Sequence, residues 1–162
     1  MRVSDHDDPP PDAKVVPFRQ PGIIAEVGGL VDETWASLAL YGEDLDPEDV
    51  TRTLGVQPTK AFRRGERPRP RMRPLAHGLW SLGAEAAAPT SPDQLIQAVL
   101  ASTAATPDAW ASLRSRFDVQ LRLAIWTRSW NRGFALETAT LAALAARGAS
   151  LQVSVYADSG DE

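Results

Sequence analysis

The residues best suited to bind something lie between Lys60 and Trp80, in the stretch KAFRRGERPRPRMRPLAHGLW. Lys60, Arg63, Arg64, Arg67, Arg69, Arg71 and Arg73 face one acid, Glu66. The stretch therefore carries +6 while the rest of the chain carries −10. Guanidinium forks match carboxylate and phosphate oxygens two at a time. Pro68, Pro70 and Pro74 exclude a helix and predict an extended, partly stiff loop. Three readings compete for this run. It is a solvated face whose cations pair with the acidic body, an anion site for phosphate or nucleic acid, or a docking surface for an acidic protein partner. A net charge of −4 and the lack of a recognisable nucleic-acid-binding motif weigh against nucleic acid.

Three other groups invite chemistry. His77 precedes Gly78-Leu79-Trp80, and histidine is the usual general base near neutral pH. No serine or carboxylate stands at a spacing that would recruit it, so a hydrogen-bonded structural histidine is the simpler reading. The acids Glu43, Asp44, Asp46, Glu48 and Asp49 suggest calcium, but the glycine and the closing glutamate of an EF-hand loop are missing. Helix capping accounts for those from Asp46 onward. The third group is aromatic: Trp35, Trp126 and Trp130 fall with Tyr41 and Tyr156 on one strand face or its adjoining loop. Aromatics on a nominally wet face mark a binding surface or a dimer seam. The alternative is that another element, such as residues 22–30, covers that face.

Composition narrows the field. A chain of 162 residues fits one domain, and a hydrophobic share of 43% supports an ordinary core. The absence of cysteine excludes a disulfide scaffold, thiolate zinc, iron–sulfur clusters and a cysteine nucleophile. With His6 and His77 the only histidines, neither a metal nor another cofactor is expected. No apolar run has the length of a signal peptide or of a membrane span, so a cytoplasmic location is expected. Lys14 and Lys60 are the only lysines. Their scarcity, with abundant arginine and alanine, suggests a GC-rich bacterial genome.

The elements that must position these residues follow from periodicity. Residues 1–21, with five prolines among acids, read as a disordered tail. Residues 22–158 read as one domain, and 159–162 as a disordered acidic end. Trp35 to Tyr41 alternates as a strand. Asp46-Pro47 then starts a helix with Val50 and Leu54 inward, stopped by Gly55. Strands are expected at Val56 to Phe62 and Gly78 to Leu82. Ser91-Pro92-Asp93 and Thr106-Pro107-Asp108 open two more helices, and Trp110 lies on the inner stripe of the second. Val119 to Trp126 is the clearest strand, with Val119, Leu121, Leu123 and Ile125 inward. A helix from about Ala135 to Arg147 stops at Gly148, and Leu151, Val153 and Val155 mark a last strand. The recurring strand–helix–strand plan predicts an α+β fold: a mixed or antiparallel sheet with helices on one face, ferredoxin-like, with two βαβ-type units.

One resemblance can be drawn from these words. Leu45-Asp46-Pro47, Leu54-Gly55, Pro58-Thr59, Arg64-Gly65 and Gly78-Leu79-Trp80-Ser81, with the C-terminal strand–helix–strand, resemble the bacterial family called domain of unknown function 4279 over about residues 34–157. The resemblance implies a fold and a bacterial source, and brings no activity, substrate or catalytic residue. Threonine is common in that family where His77 stands. Small α+β domains of this kind include immunity proteins that neutralise toxins, which is analogy alone. The leading functional expectation is a non-enzymatic protein-binding module of immunity type, alone or as a homodimer, without a membrane partner. A nucleic-acid or phosphate binder using Arg63 to Arg73, and an enzyme using His77, are the alternatives.

Overall fold

A computed structural model describes residues 31–86, 90–127 and 133–157. The expected tail at 1–21, residues 22–30, Trp130 and residues 158–162 fall outside the described residues. The elements run β1 (Glu33–Gly42), α1 (Pro47–Leu54), β2 (Lys60–Phe62), β3 (Gly78–Ala86), α2 (Pro92–Ala101), α3 (Pro107–Arg116), β4 (Asp118–Thr127), α4 (Thr138–Ala146) and β5 (Ser150–Ala157). The strands form one sheet in the order β2-β3-β1-β4-β5. All neighbours are antiparallel except β4 and β5, which are parallel. The fold is α+β with a mixed sheet. A plain ferredoxin-like sheet has four strands, and this one carries a fifth beyond β4.

Register decides what is inside. Leu38 lies opposite Leu82 on one side and Leu121 on the other, and Leu40 opposite Trp80 and Val119. These residues share one core with Val50 and Leu54 of α1, Ile96, Val99 and Leu100 of α2, Trp110 and Leu113 of α3, and Leu144 of α4. All four helices therefore cover the same face of the sheet. The β4–α4–β5 passage joins adjacent parallel strands as a βαβ unit. In β1–α1–β2 the two strands are separated by β3, so that unit is split.

Local chemistry fixes the helix ends. Asp46 caps α1 by accepting a hydrogen bond from the Glu48 N–H at 3.1 Å, with Pro47 in the first turn. Gly55 ends α1 at φ 69°, a left-handed position that suits glycine. Thr106 caps α3 through the Ala109 N–H at 3.2 Å.

Two expectations need correction. Residues 56–59 are not strand, and only Lys60–Phe62 pair with β3. Thr59 closes the chain onto β3 with its backbone N–H and its hydroxyl, both of which donate to the Ser81 carbonyl, and the hydroxyl also accepts from the Gly83 N–H. The last helix starts at Thr138 rather than Ala135. Glu137 precedes it as an extended residue at φ −67° and ψ 151°, and its N–H donates at 2.9 Å to the carboxylate of Asp93, which is buried at the start of α2 and also accepts from the Gln97 amide at 2.7 Å. The last strand, β5, falls where the alternation puts it. Leu151, Val153 and Val155 sit beside core residues of β4 yet stay 36%, 45% and 61% exposed.

Trp80 ties the sheet to α1. Its ring is fully buried, and its indole N–H donates to the Thr51 hydroxyl at 3.0 Å. Replacing Thr51 with Val removes the acceptor and leaves a buried donor unpaired. The expected cost is about 1–3 kcal/mol in urea unfolding. Thr53→Val, at an exposed position of the same helix, should change stability by less than about 0.5 kcal/mol.

Candidate functional site

The arginine run forms a hairpin between β2 and β3. Its neck is closed by Gly65 N–H to the Leu75 carbonyl and Leu75 N–H to the Glu66 carbonyl, each at 2.9 Å. The Glu66 carboxylate also accepts from the Arg63 N–H at 3.0 Å. At the tip, Met72 N–H donates to the Arg69 carbonyl at 3.0 Å, so Arg69-Pro70-Arg71-Met72 is a β-turn with proline at its second position. The prolines stiffen the loop, as the sequence leads one to expect, and the extended run is folded back on itself.

The charges divide along this hairpin. Arg63, at the neck, pairs with Asp46 at 2.8 Å and Glu48 at 3.3 Å, and Arg64 pairs with Glu43 at 3.2 Å. The Glu48 hydrogen bond, followed by the field of Asp46, holds the Arg63 guanidinium above its ordinary pKa. Arg67, Arg69, Arg71 and Arg73 are exposed and form no ion pair among the described residues. The solvated-face reading thus describes the neck. At the tip four cations have no acidic partner among the described residues.

Beside the neck lies an open cleft of about 450 Å³, between α1 and β2. Pro47, Pro58, Ala61 and Phe62 line its apolar part, and Glu48, Arg52, Gln57, Arg63 and Glu66 its polar rim. Sequence reasoning did not find it, because it exists only where α1 folds back over the strand that follows it. His77 is exposed, lines neither this cleft nor the one on the opposite face, and has no hydrogen-bond or ionic partner among the described residues. No group of three or more His, Cys, Asp or Glu side chains suited to a metal gathers among the described residues.

The opposite, helix-free face of the sheet carries the aromatics. Trp126 and Tyr156 stack with centroids 5.1 Å apart and planes 14° from parallel, because β4 and β5 pair in register at these two positions. Both are exposed, at 39% and 52%. Tyr41 accepts a long hydrogen bond of 3.4 Å from Arg122. Trp35 is half-buried near Gly83, at one wall of a shallow cleft of about 330 Å³ that includes Thr59, Lys60, Ser81 and Glu85. The aromatic pair lies at the β5 edge and the arginine hairpin at the β2 edge, so the structure does not join the two expected binding groups into one site.

The family described as Domain of unknown function (DUF4279) matches residues 32–158. The chain belongs to this family. Nothing matches among curated proteins, and nothing matches among solved structures. The matched span begins at the foot of β1 and ends just past β5, so it contains the whole described sheet, the arginine hairpin and both clefts. In this member the motif words are structural: Leu45-Asp46-Pro47 starts α1, Leu54-Gly55 stops it, and Trp80 fills the core above it. Among the described residues no helix is long and apolar enough to cross a membrane.

The exposure of the hairpin has a simple chemical readout. Trypsin cleaves after arginine unless proline follows, and Arg67, Arg69 and Arg73 all precede proline. Among the described residues, limited trypsin digestion should therefore cut first at the Arg71–Met72 bond, identified by mass spectrometry. The neck hydrogen bonds and the β2–β3 ladder should hold the nicked halves together on a sizing column.

Proposed function

We propose that this domain is a non-enzymatic protein-binding module that takes an acidic segment of its partner on the arginine hairpin. One observation carries the reading: Arg67, Arg69, Arg71 and Arg73 have no ionic partner among the described residues, whereas Arg63 and Arg64 of the same run are neutralised by Asp46, Glu48 and Glu43. Pro68, Pro70 and Pro74, each directly after an arginine, lower the ordering cost of presenting these side chains. The cleft beside the neck supplies an anchor for an apolar side chain next to the acidic stretch, through Pro58, Ala61 and Phe62. Neutralisation of a toxin, as immunity proteins do, is the biological form of this reading by analogy with other small α+β domains.

The same cations suit a phosphate backbone, and that is the competing reading. At the neck Glu43, Asp46, Glu48 and Glu66 outnumber Arg63 and Arg64, and the net negative charge disfavours a long polyanion, while a short acidic segment reaches the tip without meeting it. Enzymatic use of His77 lacks a supporting neighbour among the described residues.

The test uses a labelled oligo-glutamate peptide and a labelled single-stranded DNA oligomer, each measured by fluorescence anisotropy over a range of salt. The peptide should bind at low salt and weaken as salt rises. Changing Arg67, Arg69, Arg71 and Arg73 together to Gln should abolish that binding, and Arg122→Gln, at an exposed position of β4 outside the hairpin and the cleft, should leave it in place. No peptide binding at low salt would overturn the proposal. Tighter binding of the DNA than of the peptide, lost in the fourfold variant, would replace it with the nucleic-acid reading.

A further inference from the structure

The two edges of the sheet are built in opposite ways. β2 is three residues long, carries Lys60, follows Pro58 and leads into the arginine hairpin. Short length, charge and proline are the usual protections against edge-to-edge pairing. β5 has none of them. It runs for eight residues, Ser150–Ala157, without a charge or a proline, and β4 is its sole neighbour among the described strands. Its outer edge presents backbone N–H and C=O groups that no described strand takes up. Apolar side chains are exposed on both of its faces: Leu151, Val153 and Val155 on the helix side, Tyr156 on the other.

We infer that β5 is a homodimer interface, at which a second copy of this chain adds its own β5 antiparallel to make one continuous ten-stranded sheet. This surface is at the far edge from the arginine hairpin and is independent of what that hairpin binds. A second copy fits for three reasons. An uncharged strand laid against itself sets no like charges opposite one another. The pairing keeps each face intact only in registers that set odd-numbered residues opposite odd-numbered ones, because a slip of one residue turns Leu151, Val153 and Val155 to the other side. Centring the two-fold axis on Val153 meets this condition and places Leu151 opposite Val155. Leu151, Val153, Val155 and Tyr156 are 36%, 45%, 61% and 52% exposed, and edge pairing covers the flank of each together with the main chain of the whole strand, an interface at the small end of the specific ones, about 600 Å² per partner or less.

The native chain contains no cysteine, which makes the test clean. Sedimentation equilibrium of the full chain should show a dimer that dissociates on dilution. Val153→Lys should abolish the dimer while leaving the circular dichroism spectrum and melting temperature of a folded chain, since Val153 is already 45% exposed. Independently, single cysteines placed in turn at positions 151 to 155 should form an interchain disulfide fastest at position 153. Only on the axis does a residue face its own copy, at the separation of about 5 Å that a disulfide requires. Should the lysine variant fail to fold, the cysteine series decides alone. A full chain that stays monomeric at every concentration overturns the inference, including the case in which residues 22–30 occupy the β5 edge. So does a dimer that survives Val153→Lys, or a cysteine series with no maximum.

Discussion

The structure hangs on β1, a strand hydrogen-bonded along both edges. Backbone donors and acceptors in a sheet interior must be paired, and β1 is paired with β3 on one side and β4 on the other over nearly its whole length. That double constraint sets the register of β3, and through β3 the position of β2 and the hairpin between them. It likewise sets β4, and through β4 the line on which Trp126 meets Tyr156. The far end of β1 is equally constrained. Gly42 lies opposite Gly78, and a Cβ at Gly78 would stand 2.7 Å from the Leu45 carbonyl, so the chain entering α1 runs directly over β3. From there Thr51 reaches the Trp80 indole.

The arginine run illustrates how one stretch of like charge serves two purposes. At the neck the cations meet carboxylates of the α1 region, and pairs this exposed contribute little to stability. They join the hairpin neck to the start of α1 and the turn before it. Beyond the neck no acid follows, and the turn at Pro70 sends the chain back before the tip can fold onto the acidic body. Elsewhere a cation is drawn inward. Arg147 lies 5.3 Å from the centroid of the buried Trp110 ring, and burial lowers its pKa while it donates to the Ala143 and Leu100 carbonyls at the ends of α4 and α2.

Features encoded by neighbouring residues were legible before any coordinates. Asp46-Pro47, Thr106-Pro107 and Gly55 announce their helix ends because a cap reads only the next few backbone groups. The inward faces of β1 and β4 follow from period-two alternation. What resisted reading depends on partners distant in sequence. Asp93 resembles one more acid in a first helical turn, yet it is buried and its carboxylate holds the N-cap of α4, Glu137, 44 residues away. Residues 56–59 have strand-like content, but only Thr59 reaches β3, by its backbone N–H and its hydroxyl together. The candidate site divides the same way. Charge asymmetry located the arginine run. Which arginines are neutralised depended on α1 folding back against the neck.

The blunted β2 edge also limits growth. A sheet with two open edges adds copies head to tail without end and gives a filament. A sheet with one open edge and one capped edge has a single valence. Once β5 is covered, by whatever covers it, Lys60, Pro58 and the cationic hairpin close the other side to further strands. Any association through main-chain pairing therefore stops after one step, and solubility is protected at the edge that remains.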